Sequence, residues 1–166
     1  MSRDGRARRP KTSNFARHMS RFEIHPQLLY DCHRLGQFQL CHVLLHKNAA
    51  VPWLILVPET ASPGDLLDLP RQVRNMAIEE AAIAAHFIKS EFAVSKINFA
   101  AIGNVVPQLH LHVIGRRAND PCWPAPVWGN LVEGNCYSAA RIASLTATLT
   151  QNHLLKAFRV NPQKSD

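Results

Sequence analysis

The chain has 166 residues, 46% of them hydrophobic, and a formal net charge of +7, which suits one globular domain whose core needs no disulfide or metal staple. No apolar run nears the roughly 18 residues of a membrane helix, and no apolar segment near the N-terminus marks a secretory signal. Cys32, Cys41, Cys122 and Cys136 form no CxxC pair and no zinc-like spacing, so the reading is of free thiols in a reducing, cytoplasmic setting.

The charge is unevenly placed. Residues 1–21 hold seven basic side chains and one acid, while the rest of the chain is close to neutral. Nucleic-acid binding is therefore not expected beyond non-specific contact by the basic tail. Residues 1–20 have too few apolar side chains to pack and are expected to form a disordered extension, with Met19 as an alternative start.

From Phe22 onward the pattern alternates between helix and strand. "HPQLLYDCHRLG" (residues 25–36) predicts a short helix closed by Gly36. "QFQLCHVLLH" (37–46) predicts a strand with Phe38, Leu40, His42 and Leu44 on one face. "WLILV" (53–57), held between Pro52 and Pro58, predicts a central strand covered on both sides. "SPGD" (62–65) carries helix-start signals. Residues 70–92 then repeat Val73, Ala77, Ala81, Ala84 and Ile88 at helical spacing, with Arg74, Glu79 and Lys89 for the wet face.

"INFAAI" (97–102) and "GNVVPQLHLHVIGRR" (103–117) predict two strands joined around Gly103 and Asn104. A loop rich in proline and tryptophan (120–129) follows, then a weaker helix over residues 138–158. Strands gathered around one long helix imply an α+β fold, with a mainly antiparallel sheet of about five strands and the long helix packed on it. Residues 21–130 are expected to form the domain and 131–166 a helical extension of it.

Within the last strand, Gln108, His110 and His112 are spaced to share one face, and Leu109, Leu111 and Val113 the other. Two imidazoles in an apolar run each need a polar partner if they are only structural. An HxH pair on a strand can also hold a metal, although no Asp, Glu or Cys follows at ligand spacing and His42 or His46 would have to converge in space. A third reading is covalent phosphoryl chemistry. A neutral imidazole, with a pKa of about 6.5, is a nucleophile near pH 7, and a neighbour on the same face can donate to phosphoryl oxygens.

"QLHLHVI" resembles the signature of the histidine triad (HIT) family, His-φ-His-φ-His-φ-φ, with Gln108 in place of the first histidine, as in a bacterial subgroup. "VPWLILVPE" is similar to the family's strand that ends in apolar-apolar-Pro, and Asn104 stands as an amide four residues before the motif.

The resemblance implies a HIT-like α+β fold, usually a homodimer, that binds nucleotides and needs no cofactor. It implies a nucleotide hydrolase or nucleotidyl transferase acting on the α-phosphate, of the dinucleoside polyphosphate or nucleoside phosphoramidate type, through a nucleotidyl-histidine intermediate. Carried over by position, His110 is the nucleophile and His112 its phosphate-contacting partner, with Gln108 completing the catalytic face. Asn104 would hold a phosphoryl oxygen or the leaving group. Trp53 occupies the place where many members have a fourth histidine, and Asn98 and Asn48 are further substrate-binding candidates. Gln108→His is expected to raise activity or leave it unchanged. The alternatives are a nucleotide-binding module without turnover and a histidine-based metal site.

Overall fold

The run of apolar residues around Ile55 forms the middle strand of the sheet. A computed structural model describes residues 22–60 and 64–151. Its elements are α1 (Pro26–Asp31), β1 (Cys32–Gln37), β2 (Cys41–His46), β3 (Trp53–Pro58), a 3-10 turn (Leu66–Asp68), α2 (Arg71–Phe92), β4 (Lys96–Ala100), β5 (Leu111–Arg116) and α3 (Ala139–Gln151). The five strands lie in the order β1-β2-β3-β5-β4, and every neighbouring pair is antiparallel. The fold is α+β, as the pattern of elements implies.

All six residues of β3 are buried because both faces of the sheet are covered. Leu54 and Leu56 join a cluster with Ala77, Ala84 and Ile88 of α2, together with Leu145 and Leu149 of α3. Trp53, Ile55 and Val57 join a second cluster with Leu28 of α1 and Val127 of the loop after β5. Fully burying a leucine such as Leu54 contributes about 1.5–3 kcal/mol. On β5 the alternation is the same: Leu111 and Val113 face the helix cluster, while Ile114 faces the second. Gly115 lets α2 lie close, since a Cβ there would sit 2.6 Å from Ile88 and 2.9 Å from Val94.

Four local expectations are corrected. Helix α1 stops at Asp31, and Gly36 lies inside β1 rather than closing a helix. Residues 32–37 pair with β2 from Cys32↔His46 to Gln37↔His42, with an irregularity between Arg34 and Gly36. The ladder to β2 thus outweighs a weak local helix signal. Residues 38–40 form the hairpin turn instead of starting a strand. There the buried carboxylate of Glu80, on α2, accepts from the backbone N–H of Leu40 at 2.7 Å and of Cys41 at 2.8 Å.

The third correction is that β4 and β5 are joined by residues 101–110, so β5 begins only at Leu111. The fourth is that Gln108 and His110 precede β5 instead of lying within it. The expected tail (1–20), Ser62 and Pro63 of "SPGD", and the last seven residues of the 138–158 helix fall outside the described residues. Among the described residues no helix is long and apolar enough to cross a membrane. All four cysteines are free thiols, and only Cys136 is exposed.

Candidate active site

His112 sits on β5 opposite Ile55 of β3 and Ala100 of β4, and His110 immediately precedes the strand. Both side chains are buried. Their rings meet edge-on, with centroids 4.7 Å apart and planes at 79°. Burial obliges each ring to find a polar partner, and the partners fix where the protons lie. The Nδ1 of His110 is 2.7 Å from the carbonyl oxygen of Gln108. A carbonyl only accepts, so Nδ1 carries the hydrogen and the neutral ring keeps its lone pair at Nε2.

His112 is held in the opposite sense. Its Nδ1 accepts from the indole Nε1–H of Trp53 at 3.1 Å. Indole can only donate, so the proton of a neutral His112 is at Nε2. Burial first, then His110 and His46, pushes the His112 pKa down to about 3. The pair is therefore a lone pair beside an N–H donor.

Both rings line a cavity of about 290 Å³, near the small end of the range for small-molecule sites. One wall is the 102–106 segment, where Gly103 takes φ 69°, a left-handed conformation that favours glycine, beside Asn104. Another wall is α1, with Gln27, Leu28 and Asp31. Gln27 donates to the Asp31 carboxylate at 2.8 Å. His46 of β2 also lines the cavity and stacks on Trp53, with centroids 4.4 Å apart and planes at 15°. Burial lowers the His46 pKa, against a smaller opposing effect of Asp31.

Trp128 closes the remaining side, edge-on to Trp53 at 5.9 Å and to His112 at 5.3 Å. The loop that carries it is fastened by Arg116 at the end of β5. The Arg116 guanidinium donates to Asp120 at 2.7 and 3.0 Å, to Asn98 Oδ1 at 2.7 Å and to the Ala125 carbonyl at 2.9 Å. This hydrogen bonding holds the Asp120 carboxyl at about 2, well below its ordinary range.

Of the residues singled out in the sequence, the cavity brings together His110, His112, Trp53, Asn104 and His46, the last named there only as a histidine that could converge in space. Gln108 is not among its lining. Its Oε1 accepts from the His25 backbone N–H at 2.8 Å, and its Nε2 donates to the Glu23 carbonyl at 2.9 Å, stitching the segment before α1 to the motif. Asn98 is engaged by Arg116. Asn48 holds a turn, accepting from Ala50 N–H at 3.0 Å and donating to the Val132 carbonyl at 2.9 Å. Neither lines the cavity.

Sequence reasoning missed Asp31, Trp128 and the Arg116–Asp120 pair. Only Arg116 left a usable signal, since period two places it on the same face as His110 and His112. Among the described residues no three His, Cys, Asp or Glu side chains gather as a metal site.

A family model, the HIT domain, matches residues 28–119. The chain is also similar to three solved bacterial structures. A histidine triad protein from Marinobacter aquaeolei is 38% identical over 80% of this chain and 98% of that one, with a TM-score of 0.74. One from Sinorhizobium meliloti is 34% identical over 81% and 98%, with a TM-score of 0.75. One from Bradyrhizobium japonicum is 33% identical over 78% and 96%, with a TM-score of 0.72. No curated protein matches the chain.

Proposed function

We propose, on the premise that this chain belongs to the HIT domain family of nucleotide hydrolases and transferases, that it transfers or hydrolyses nucleotidyl groups through a covalent intermediate on His110. The observation that carries the reading is the hydrogen bond from His110 Nδ1 to the Gln108 carbonyl, which leaves Nε2 as a lone pair on a ring lining the cavity. That nitrogen attacks the α-phosphorus of a bound nucleotide. The bond to the leaving group breaks, and its electron pair departs with that group. His112 Nε2–H and Asn104 are placed to donate to the phosphoryl oxygens as charge builds on them. Water or another acceptor then attacks phosphorus, and the electron pair of the N–P bond returns to His110.

The apolar walls, Leu28, Ile55, Val106 and the two tryptophans, suit a nucleobase, and the Asp31 carboxylate suits nucleoside hydroxyls. Substrates of this reading are dinucleoside polyphosphates or nucleoside phosphoramidates. No cofactor takes part, and the protein works in the cytoplasm as a homodimer. The exposed Phe99 on the edge strand β4 and the exposed Ile78 on α2 support that assembly. The test is kinetic. His110→Ala is expected to abolish turnover while nucleotide affinity changes little. His112→Ala is expected to weaken phosphate contacts by about 1.5–3 kcal/mol, the range for a hydrogen bond to a charged group. Full turnover by His110→Ala would overturn the reading.

The second reading is a nucleotide-binding module without turnover. It is favoured by Gln108, whose amide is engaged by backbone outside the cavity lining and offers the reaction no proton.

A further inference from the structure

We propose that Trp53 is a positioning residue that locks His112 as a neutral Nε2–H donor, and that the site therefore prefers phosphoanhydrides, whose leaving group departs as a stable oxyanion, over phosphoramidates, whose leaving nitrogen must take up a proton. The preference rests on the reaction proposed above; the lock does not.

The lock is geometric. The Trp53 indole N–H lies 3.1 Å from His112 Nδ1, and both side chains are buried. A proton on that Nδ1 would set two donors against each other with no acceptor between them. Trp53 is itself held, by the stacked ring of His46 on one side and the edge of Trp128 on another. The titratable and charged groups that share the cavity with His112 are His110, His46 of β2 and Asp31 of α1. The two histidines oppose positive charge on His112, and Asp31 is engaged by Gln27. His112 therefore has one proton, at Nε2, and none to give away near neutral pH.

The chemistry follows from that proton count. When His110 Nε2 bonds to phosphorus and the leaving atom is a phosphate oxygen, the departing electron pair rests on a weakly basic oxyanion, and no proton is required. When the leaving atom is an amine nitrogen, the pair would rest on a strongly basic amide anion unless a proton reaches it first. His112 could supply that proton only by becoming imidazolate. In the second half-reaction water attacks phosphorus, the pair returns to His110 Nε2, and the proton of water passes to solvent.

The test combines 15N NMR of the His112 ring with kcat/KM for a dinucleoside polyphosphate and a phosphoramidate of the same nucleoside, each followed against pH. The wild-type protein is expected to show an unprotonated Nδ1 and a protonated Nε2 at neutral pH, with a preference of about tenfold or more for the anhydride. Trp53→Phe keeps an aromatic ring but removes the donor. It is expected to mix the two tautomers, to move the His112 titration upward and to narrow the substrate preference. An Nδ1–H or doubly protonated His112 in the wild type would overturn the lock, as would a tautomer unchanged in Trp53→Phe. Equal or better turnover of the phosphoramidate would overturn the preference. If neither compound turns over and no adduct forms on His110, the proposed reaction fails and the preference with it, while the NMR result still decides the lock.

Discussion

Arg116 and Asp120 are joined by two hydrogen bonds, from Nε at 2.7 Å and from Nη2 at 3.0 Å, and this pair ties the end of β5 to the loop that lays Trp128 against His112. Both side chains are almost wholly buried, at 2% and 5% exposure. Removing one partner of such a pair leaves an uncompensated charge, which costs about 3–5 kcal/mol. Asp120→Ala is accordingly expected to lower the unfolding free energy by about 3 kcal/mol or more in denaturant titration. Because Trp128 loses its anchor, the intrinsic fluorescence should change as well. A loss below about 1 kcal/mol would show that the pair is no strut.

Gln108 is bound on both sides of its amide, and this changes what a histidine there would do. The side chain accepts from His25 N–H and donates to Glu23 C=O, two backbone groups of one short segment. An imidazole carries its donor and acceptor on opposite sides of a ring and does not meet both. Of the two outcomes the motif alone allows, a gain in activity or no change, the second is therefore the one expected, with a cost in stability. Gln108→His and Gln108→Ala should each lose about 1–2 kcal/mol of stability, the worth of one or two neutral hydrogen bonds, without raising kcat. Increased turnover by Gln108→His at unchanged thermal midpoint would restore the first expectation.

Acid should destabilise the fold in a defined window. The folded pKa of His112 is lowered from 6.5 to about 3, so between those values the unfolded chain binds more protons than the folded one. Stability is full above pH 6.5 and is lost as pH falls toward 3. Asp120 acts in the same direction lower down, between 3.8 and about 2, where protonation dissolves its pairing with Arg116. Each group contributes a slope of at most about 1.4 kcal/mol per pH unit. His112→Asn should flatten the upper part of the curve of thermal midpoint against pH. An unchanged slope between pH 6 and 4 would argue that His112 titrates normally.

The parts of the fold that could be read from the sequence were those with a strong local period. β3 is a short apolar run between prolines, and α2 shows its buried alanines at helical spacing. The β1–β2 turn could not be read, because residues 38–40 contain no glycine, proline or asparagine and the carboxylate that accepts from Leu40 and Cys41 lies on another element. Helical spacing sets Glu79 on the wet face and Glu80 beside Ala77 and Ala84, as the structure has them, but nothing local says which groups the buried carboxylate of Glu80 meets. The site divides in the same way. His110 and His112 stand in one motif, whereas His46, Asp31 and Trp128 reach the cavity from β2, α1 and a loop, so only the closed sheet brings them together.

That division yields a further expectation. Glu80 accepts two backbone N–H groups with a buried carboxylate, and hydrogen bonds to a charged group are worth about 1.5–3 kcal/mol each. Glu80→Ala should cost about 2–4 kcal/mol in chemical denaturation, whereas Glu79→Ala at the exposed neighbouring position should cost less than about 0.5 kcal/mol. Equal effects of the two changes would mean that the turn is not held from α2.

The covalent role of His110 is decided most directly by mass spectrometry of protein quenched during turnover of a dinucleoside polyphosphate. An acid-labile adduct of one nucleotide should appear on the peptide carrying His110, decay as product forms, and be absent from His110→Ala. Product formation with no adduct at any time, or an adduct that persists in His110→Ala, would contradict nucleophilic catalysis by His110.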